Sequence, residues 1–376
     1  MQEGIAEMSS GGENPLGTAC RWLIYLLLLL QNIGCFEEAA PDIGSAAWLR
    51  YDGIARFHVH SPDQEEVSDA LRQAMGQHAA RLNRKIVARC EDVTIGVLGD
   101  SRASIEGVGV STFFRPMLSE IKSVGAELIL HVGDLVKRGT RATEWAAYAR
   151  HLSLSLPVVP VRGNHDRGSH FYDDNFGISP VFTLNYGVVR IIGFDSEGTP
   201  EALDARLREL ELHLKPDTEQ WKIVLLHRPI WSRGPHGSNE LGLNDRLTAL
   251  FERAEVDLVI SGHDHNYERF CPTKGVHLDR PCLPLGNAPI YLVSGGGATV
   301  MNPIPSFWRT LSHSDYDTLK RTSVAFSGRQ HFLKITASPT EFELVAIASA
   351  HSNIFGPSIL DRFQLERANR SCRSSL

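Results

Sequence analysis

The chain has 376 residues, of which 38 are Lys or Arg and 44 are Asp or Glu, so its formal net charge is −6. Hydrophobic residues make up 42% and charged residues 22%, the balance of a globular protein, which excludes a disordered chain. The acidic balance gives no general attraction to nucleic acid, and no nucleic-acid partner is expected. The length predicts one large domain, alone or with a small appendage.

The N-terminal segment has the features of a secretion signal rather than of a folded domain. Arg21 precedes the apolar run Trp22–Leu30, which is too short to span a bilayer but has the length of a signal-peptide core. The tripeptide that ends at Cys35 resembles the end of a bacterial lipoprotein signal, where the cysteine receives a lipid. We therefore expect export to the periplasm or the cell exterior, with anchoring to a membrane through Cys35. An uncleaved anchor and a buried helix are the alternatives, and Met8 is an alternative start.

The rest of the chain is predicted to contain a small N-terminal appendage, a main domain and a tail, at residues 36–91, 92–366 and 367–376. Within the appendage, Ser61 followed by proline is typical of a helix start. His58 and His60 alternate on a predicted strand, where surface alternation explains them better than a metal site does.

Six cysteines occur in the chain, and two of them fall in the predicted signal segment. Cys271 and Cys282 bracket a loop that is rich in Pro and Gly, so a disulfide between them is predicted in an oxidising compartment. Two unpaired thiols are the alternative.

The main domain alternates short apolar runs with longer amphipathic segments, which is the pattern of an α/β fold. Runs that are apolar throughout indicate strands that are buried on both faces. The predicted strands are Val93–Leu98, Leu128–Val132, Val158–Val161, Val188–Phe194, Ile223–Leu226, Leu258–Ile260 and Ile290–Val293. Helices are predicted over Thr112–Val124, Glu201–Leu214 and Asn244–Ala254.

Five of these predicted strands are followed by residues of the types that commonly bind metal ions. In chain order these residues are Asp100, Asp134, the trio Asn164, His165 and Asp166, then His227, and finally His263 and His265. Ligands gather outside the carboxyl ends of strands in open α/β sheets, and carboxylates with imidazoles suit Zn, Fe or Mn. The sequence therefore predicts a metal site at one edge of the sheet.

The order of the motifs resembles that of a known family. The runs GDSR, GDLV, GNHD, HRP and GHDHNYER are similar to those of the calcineurin-like metallophosphoesterase superfamily, in its purple-acid-phosphatase-like branch. The resemblance covers Val93 to Arg269. It implies an α/β fold of two mixed β-sheets packed face to face and flanked by helices, a four-layer sandwich. Strands at His331–Ile335 and Glu341–Ala346 would complete the second sheet.

The resemblance also implies a role for each motif residue. It implies two metal ions (Mn, Fe or Zn), of which the first would be held by Asp100, Asp134 and His265, here termed the first-metal group. The second ion would be held by Asp134, Asn164, His227 and His263, here termed the second-metal group. His165 matches the catalytic histidine, Asp166 is expected to orient its imidazole, and His236 matches a further active-site histidine that could protonate the leaving alcohol.

Two positions depart from the family pattern. Many members have a histidine two residues after the first aspartate, where this chain has Arg102. Purple acid phosphatases have a tyrosine three residues after the bridging aspartate, where this chain has Lys137. The first metal is therefore expected to bind more weakly, and the protein is not expected to be purple. Arg102 is predicted to bind the phosphoryl oxygens of the substrate with its planar fork.

These residues predict hydrolysis of phosphate esters. Two cations about 3.5–4 Å apart would neutralise the negative ester and lower the pKa of a bridging water, which would attack as hydroxide. Hydrolysis of a phosphomonoester in a small molecule is favoured. A phosphodiesterase of the same fold and a non-catalytic exported lipoprotein that binds a phosphate ligand are the alternatives. A nuclease is disfavoured because no basic stripe with aromatic residues is present.

Overall fold

The computed structural model describes residues 50–51, 57–58, 91–105, 109–152, 156–168, 171–176, 178–214, 220–238, 240–270, 289–302, 323–352 and 356–367. The predicted signal segment, the helix start at Ser61, His60 and the Cys271–Cys282 loop lie outside these residues. No helix within the described ranges is long and apolar enough to cross a membrane.

Fifteen strands and five α-helices are found in the described part of the chain. The strands are β1 (Arg50–Tyr51), β2 (Phe57–His58), β3 (Val93–Leu98), β4 (Leu128–His131), β5 (Val158–Pro160), β6 (Val181–Tyr186), β7 (Val189–Phe194), β8 (Trp221–Leu225), β9 (Leu258–Ser261), β10 (Tyr267–Phe270), β11 (Ile290–Ser294), β12 (Ser323–Ser327), β13 (His331–Ala337), β14 (Glu341–Ala348) and β15 (Ser358–Glu366). The helices are α1 (Phe114–Ser123), α2 (Ala142–Leu152), α3 (Phe171–Phe176), α4 (Pro200–His213) and α5 (Asn244–Arg253).

The strands build two mixed sheets and a separate pair. One sheet has six strands in the order β15-β14-β13-β3-β4-β5, and the other has seven in the order β12-β10-β11-β9-β8-β7-β6. The first motif strands, β3 to β5, run parallel in the six-stranded sheet, and β7, β8, β9 and β11 run parallel in the seven-stranded sheet. The predicted fold class, two mixed sheets with flanking helices, is confirmed.

The main apolar core lies between the sheets. Side chains alternate along a strand, so Ile223 and Leu225 of β8 join a cluster that also contains Ile95 of β3, whereas Val224 joins a second cluster. That second cluster is completed by α4 and α5, which cover the outer face of the seven-stranded sheet. This double burial explains why the strands read as unbroken apolar runs. Helix α1 covers the six-stranded sheet at Gly96, where a Cβ atom would lie 2.3 Å from Ile121.

The predicted elements agree with the structure within a few residues, but seven of the strands and α-helices in the described residues were not predicted. They are the short strand β1, the edge strands β6, β12 and β15, the strand β10, and the helices α2 and α3. β12 and β15 are only partly buried, so neither shows a continuous apolar run. β10 is a buried strand of four residues, and two of them, Glu268 and Arg269, are charged.

Candidate metal centre

The carboxyl ends of five strands meet at one edge shared by the two sheets. The Asp100 amide after β3 donates to the Gly133 carbonyl after β4 (2.9 Å). The His263 amide after β9 donates to Asp100 Oδ2 (3.0 Å), which connects the seven-stranded sheet to the six-stranded one. The Gly262 amide donates to the His227 carbonyl after β8 (3.0 Å). Backbone contacts therefore hold the motif loops together before any side chain binds a ligand.

The second-metal group is compact. His227 Nε2 lies 3.0 Å from Asn164 Oδ1, 3.3 Å from Asp134 Oδ1 and 3.2 Å from His263 Nδ1. The Asp134 and His227 side chains are almost fully buried. The structure thus brings together all four residues that the resemblance assigns to this ion.

The hydrogen bonds of the two imidazoles identify which ring atoms carry lone pairs. His227 Nδ1 donates to the Val132 carbonyl (2.8 Å), which can only accept, so Nε2 carries the lone pair. His263 Nε2 donates to the Glu240 carboxylate (2.9 Å), so its Nδ1 carries the lone pair. Burial lowers the pKa of His263 to about 3, and the ring is therefore neutral at pH 7.

This arrangement fits a cation. The lone pair of His227 Nε2 lies within 3.3 Å of an amide oxygen, a carboxylate oxygen and the second imidazole nitrogen, and each ring hydrogen is used elsewhere. Four acceptors with no donor among them repel one another, whereas a divalent ion would satisfy all four. The donor set of nitrogen and oxygen atoms suits Zn, Mn or Fe.

The ligand residues are held in an unusual backbone conformation. Asp100, Asp134 and His263 have φ values of 58°, 57° and 70°. Residues other than glycine rarely adopt this left-handed region, and each such residue costs on the order of 1–3 kcal/mol. Gly163 packs beside them, where a Cβ atom would lie 2.2 Å from the Asp134 amide. The sharp turns expected after the strands are therefore made partly by the ligands themselves.

The first-metal group is also assembled, but a guanidinium lies within it. His265 Nε2 is 3.6 Å from Asp100 Oδ1, a buried atom without a hydrogen-bond partner. Arg102 Nε is 3.0 Å from Asp134 Oδ2, and Arg102 Nη2 is 3.4 Å from His265 Nε2. Burial and the Asp134 carboxylate raise the pKa of Asp100 well above its usual value. These acidic groups thus have a fixed cation beside them.

The interpretation of Asp166 as the residue that orients the catalytic histidine is wrong. Both carboxylate oxygens of Asp166 are occupied by backbone amides, at 2.8–3.2 Å, from Gly163, Asp134, Leu135 and Val136. Asp166 therefore fixes the two motif loops against each other. The His165 ring is oriented by a main-chain group, because His165 Nδ1 donates to the Lys137 carbonyl (2.8 Å). Its Nε2 lies 4.0 Å from Asp134 Oδ2 and is free to meet a substrate.

His236 lies at the mouth of the centre. Its exposed ring lies against His263, with ring centroids 3.9 Å apart and an interplanar angle of 35°. The His236 amide donates to the buried Asp264 carboxylate (3.0 Å), which places the loop. His236, Glu240 and His263 are thereby brought close together, with side-chain nitrogen and oxygen atoms within 4.8 Å of one another.

Glu240 contacts a ligand residue, His263, although the sequence analysis did not predict a role for it. It contacts His263 and also forms an ion pair with Arg228, whose guanidinium in turn binds Glu197 (2.8 Å). The His263 contact lowers the pKa of Glu240 to about 2, so the group is charged at neutral pH. No motif or periodicity marks this residue, because its position depends on how its loop folds.

Two mixed β-sheets carry aspartate, asparagine and histidine residues at the edge where their strand ends meet. Residues 93–267 match the family described as calcineurin-like phosphoesterase. This match agrees with the motifs, whose order is similar to that of the same family.

Several relatives carry related descriptions. A "Probable inactive purple acid phosphatase 1" of Arabidopsis thaliana is 24% identical over 61% of this chain and 46% of its own length. A "Nucleotide pyrophosphatase/phosphodiesterase" of Hordeum vulgare is 25% identical over 52% of this chain and 65% of its own length. The matches thus span about half to two thirds of these relatives. A purple acid phosphatase structure from yellow lupin (Lupinus luteus) shares the fold, with a TM-score of 0.56, 20% identity and coverage of 74% of this chain and 55% of that one.

Proposed function

We propose that the chain hydrolyses phosphate monoesters at the metal centre formed by the second-metal group. The observation that supports this most strongly is the convergence of four acceptor atoms from Asp134, Asn164, His227 and His263 with no donor among them. Such a set of acceptors suits a cation, and all four residues lie within residues 93–267, which match the family described as calcineurin-like phosphoesterase.

The bound ion would act as a Lewis acid that neutralises phosphoryl charge and activates water. His165 can exchange a proton with the substrate only through Nε2, because its Nδ1 donates a hydrogen bond to the Lys137 carbonyl. Burial, together with the charges of Arg102 and Lys137, lowers the pKa of His165. A bound phosphoryl dianion would oppose this effect and favour the protonated ring, which can then serve the leaving oxygen. His236, exposed beside His263, is a second donor for the leaving alcohol.

The charge around His165 supports a monoester over a diester. Arg102 and Lys137 both place positive charge close enough to influence this imidazole. The phosphoryl group of a monoester carries up to two negative charges and that of a diester only one, so two positive charges favour the former. The predicted substrate contact of Arg102 fits this geometry, because about 15% of its side chain remains exposed.

A phosphodiesterase is the second candidate, supported by the barley relative whose description names that activity. A non-catalytic binding protein is the third, supported by the Arabidopsis relative described as inactive. Export and lipid anchoring at Cys35 remain a proposal that rests on the N-terminal sequence alone.

Turnover of two aryl substrates separates these candidates. The purified protein, loaded in turn with Mn²⁺, Zn²⁺ or Fe²⁺, is assayed with p-nitrophenyl phosphate and bis(p-nitrophenyl) phosphate. We expect the monoester to be hydrolysed faster, and Asn164→Ala to remove activity on both. A faster rate with the diester supports the second candidate. Metal binding without turnover of either ester supports the third.

A further inference from the structure

We propose that this centre holds a single metal ion, and that the Arg102 guanidinium takes the place of the first one. This side chain lies between two of the three residues of the first-metal group. Arg102 Nε is 3.0 Å from Asp134 Oδ2, and Arg102 Nη2 is 3.4 Å from His265 Nε2. The inference concerns the number of ions, so it stands apart from whether the centre hydrolyses phosphate esters.

A metal and this guanidinium compete for the same lone pairs. Metal bonds to carboxylate oxygen and imidazole nitrogen are about 2.0–2.2 Å long, so an ion between Asp134 Oδ2 and His265 Nε2 would occupy the space of the Arg102 nitrogens. His265 Nδ1 contacts the Val300 carbonyl (2.8 Å) and donates to it, which leaves Nε2 as an acceptor for Arg102. Two cations at this distance in a buried site would also repel each other strongly.

The Arg102 side chain is not a mobile surface group. Its amide donates to the Asp134 carbonyl (3.1 Å), so the side chain leaves the backbone beside the carboxylate that it binds. The next residue is also fixed, because the Ala103 amide donates to the Gly109 carbonyl (3.1 Å). Only 15% of the side chain is exposed. The loop thus delivers the guanidinium to the first-metal group and holds it there.

The two carboxylate oxygens of Asp134 have different partners. Oδ2 binds Arg102, whereas Oδ1 lies 3.3 Å from His227 Nε2 and accepts the His165 amide (3.0 Å). Asp134 therefore bridges one ion and one guanidinium rather than two ions. Arginine cannot be deprotonated in a protein, so the second positive charge is present without any metal. A phosphoryl group would be held by one ion and by a planar donor fork.

Counting bound ions tests this directly. Chelator-treated protein is dialysed against excess Mn²⁺, and the bound metal is measured by atomic spectroscopy and electron paramagnetic resonance. For the wild type we expect one equivalent of Mn²⁺ and the signal of an isolated ion. Two equivalents with a spin-coupled signal, or no bound metal, would overturn the proposal.

The substitution Arg102→His restores the residue type that many family members have at this position. We expect this variant to bind two equivalents of Mn²⁺ and to give a spin-coupled signal. Arg362→His, which replaces a half-exposed arginine on β15, is the matched control and should stay at one equivalent. If Arg102→His folds with a wild-type circular dichroism spectrum and still binds one ion, Arg102 is not what excludes the first metal. If Arg102→His does not fold, the number of Mn²⁺ ions bound by the wild type alone tests the proposal. Absence of phosphatase activity in a protein that binds one ion would refute the proposed function and leave this inference standing.

Discussion

Removal of the Glu240 carboxylate should weaken metal binding by about tenfold, although Glu240 is not one of the four ligands. Glu240 accepts the hydrogen of His263 Nε2 at 2.9 Å, which fixes the tautomer that presents Nδ1 to the metal. Carboxylates in this position also raise the basicity of the imidazole, and their loss costs about 10–100-fold in metal affinity. Glu240 is 35% exposed and shares its charge with Arg228, so the low end of that range is expected.

The Kd for Zn²⁺ is measured by competition with a chelating indicator for the wild type, Glu240→Ala and Glu240→Gln. The glutamine keeps an oxygen that can accept the ring hydrogen, so its affinity should lie nearer to the wild type than that of the alanine variant. Glu120→Gln is the control, because Glu120 contacts His351 in a similar pair outside the ligand groups (2.6 Å). An alanine variant with the wild-type Kd would refute the positioning role. A glutamine variant as weak as the alanine variant would show instead that Glu240 binds the metal itself.

Three further outcomes follow from the geometry. His165→Ala should keep its metal and lower kcat by about 10²–10⁴, which metal analysis and turnover of an aryl ester check. His236→Ala should lower mainly the rate for alkyl esters, which a comparison of aryl and alkyl substrates checks. Asn164→Ala should lose bound metal, measured by atomic spectroscopy after dialysis, and retained metal would contradict its assignment. Asp361→Asn should lower the free energy of unfolding by about 2–3 kcal/mol at pH 7, because Asp361 on β15 accepts hydrogen bonds from Tyr267 and Arg269 on β10. Burial raises the pKa of Asp361, but the hydrogen bonds from Arg269 and Tyr267 outweigh this effect and lower the pKa. Protonation of Asp361 therefore removes the stabilisation as the pH falls below about 4. The difference in the free energy of unfolding between the wild type and Asp361→Asn, measured by urea denaturation, should shrink over that range.

The sequence predicted the strands best where they are buried on both faces. Val93–Leu98 agrees at both ends, because all of its residues except Thr94 are buried and its four large apolar side chains belong to the main core. The edge strands β12 and β15 were not predicted, since their residues are only partly buried and polar and apolar residues are mixed along them. The Ser358–Glu366 strand, for example, contains Asp361 and Arg362 and has one buried residue, Leu365.

The ligand residues could be predicted because each follows a strand directly, and strand ends converge by geometry. Contacts that depend on the path of a loop could not be predicted in this way. The Asp166 carboxylate follows His165 in the chain, but the backbone turn directs it to four main-chain amides. The placement of Arg102 within the first-metal group likewise depends on the hydrogen bond that its backbone amide donates to the Asp134 carbonyl. No spacing in the sequence encodes either contact.

The left-handed backbone at the ligands leads to a last prediction, which reverses a common rule. His263 has φ 70°, a conformation that costs a residue with a Cβ atom about 1–2 kcal/mol and costs glycine nothing. Glycine loses about 0.4–1 kcal/mol relative to alanine through the entropy of the unfolded chain. In the presence of a chelator, His263→Gly should therefore be more stable than His263→Ala by about 0.5–1 kcal/mol in urea denaturation. The same pair of substitutions at His165, which lies in the short helical turn Asn164–Asp166, should show the ordinary order with alanine more stable. If glycine is the less stable residue at both positions, the strain is not stored where the ligand sits, and the backbone account of the site is wrong.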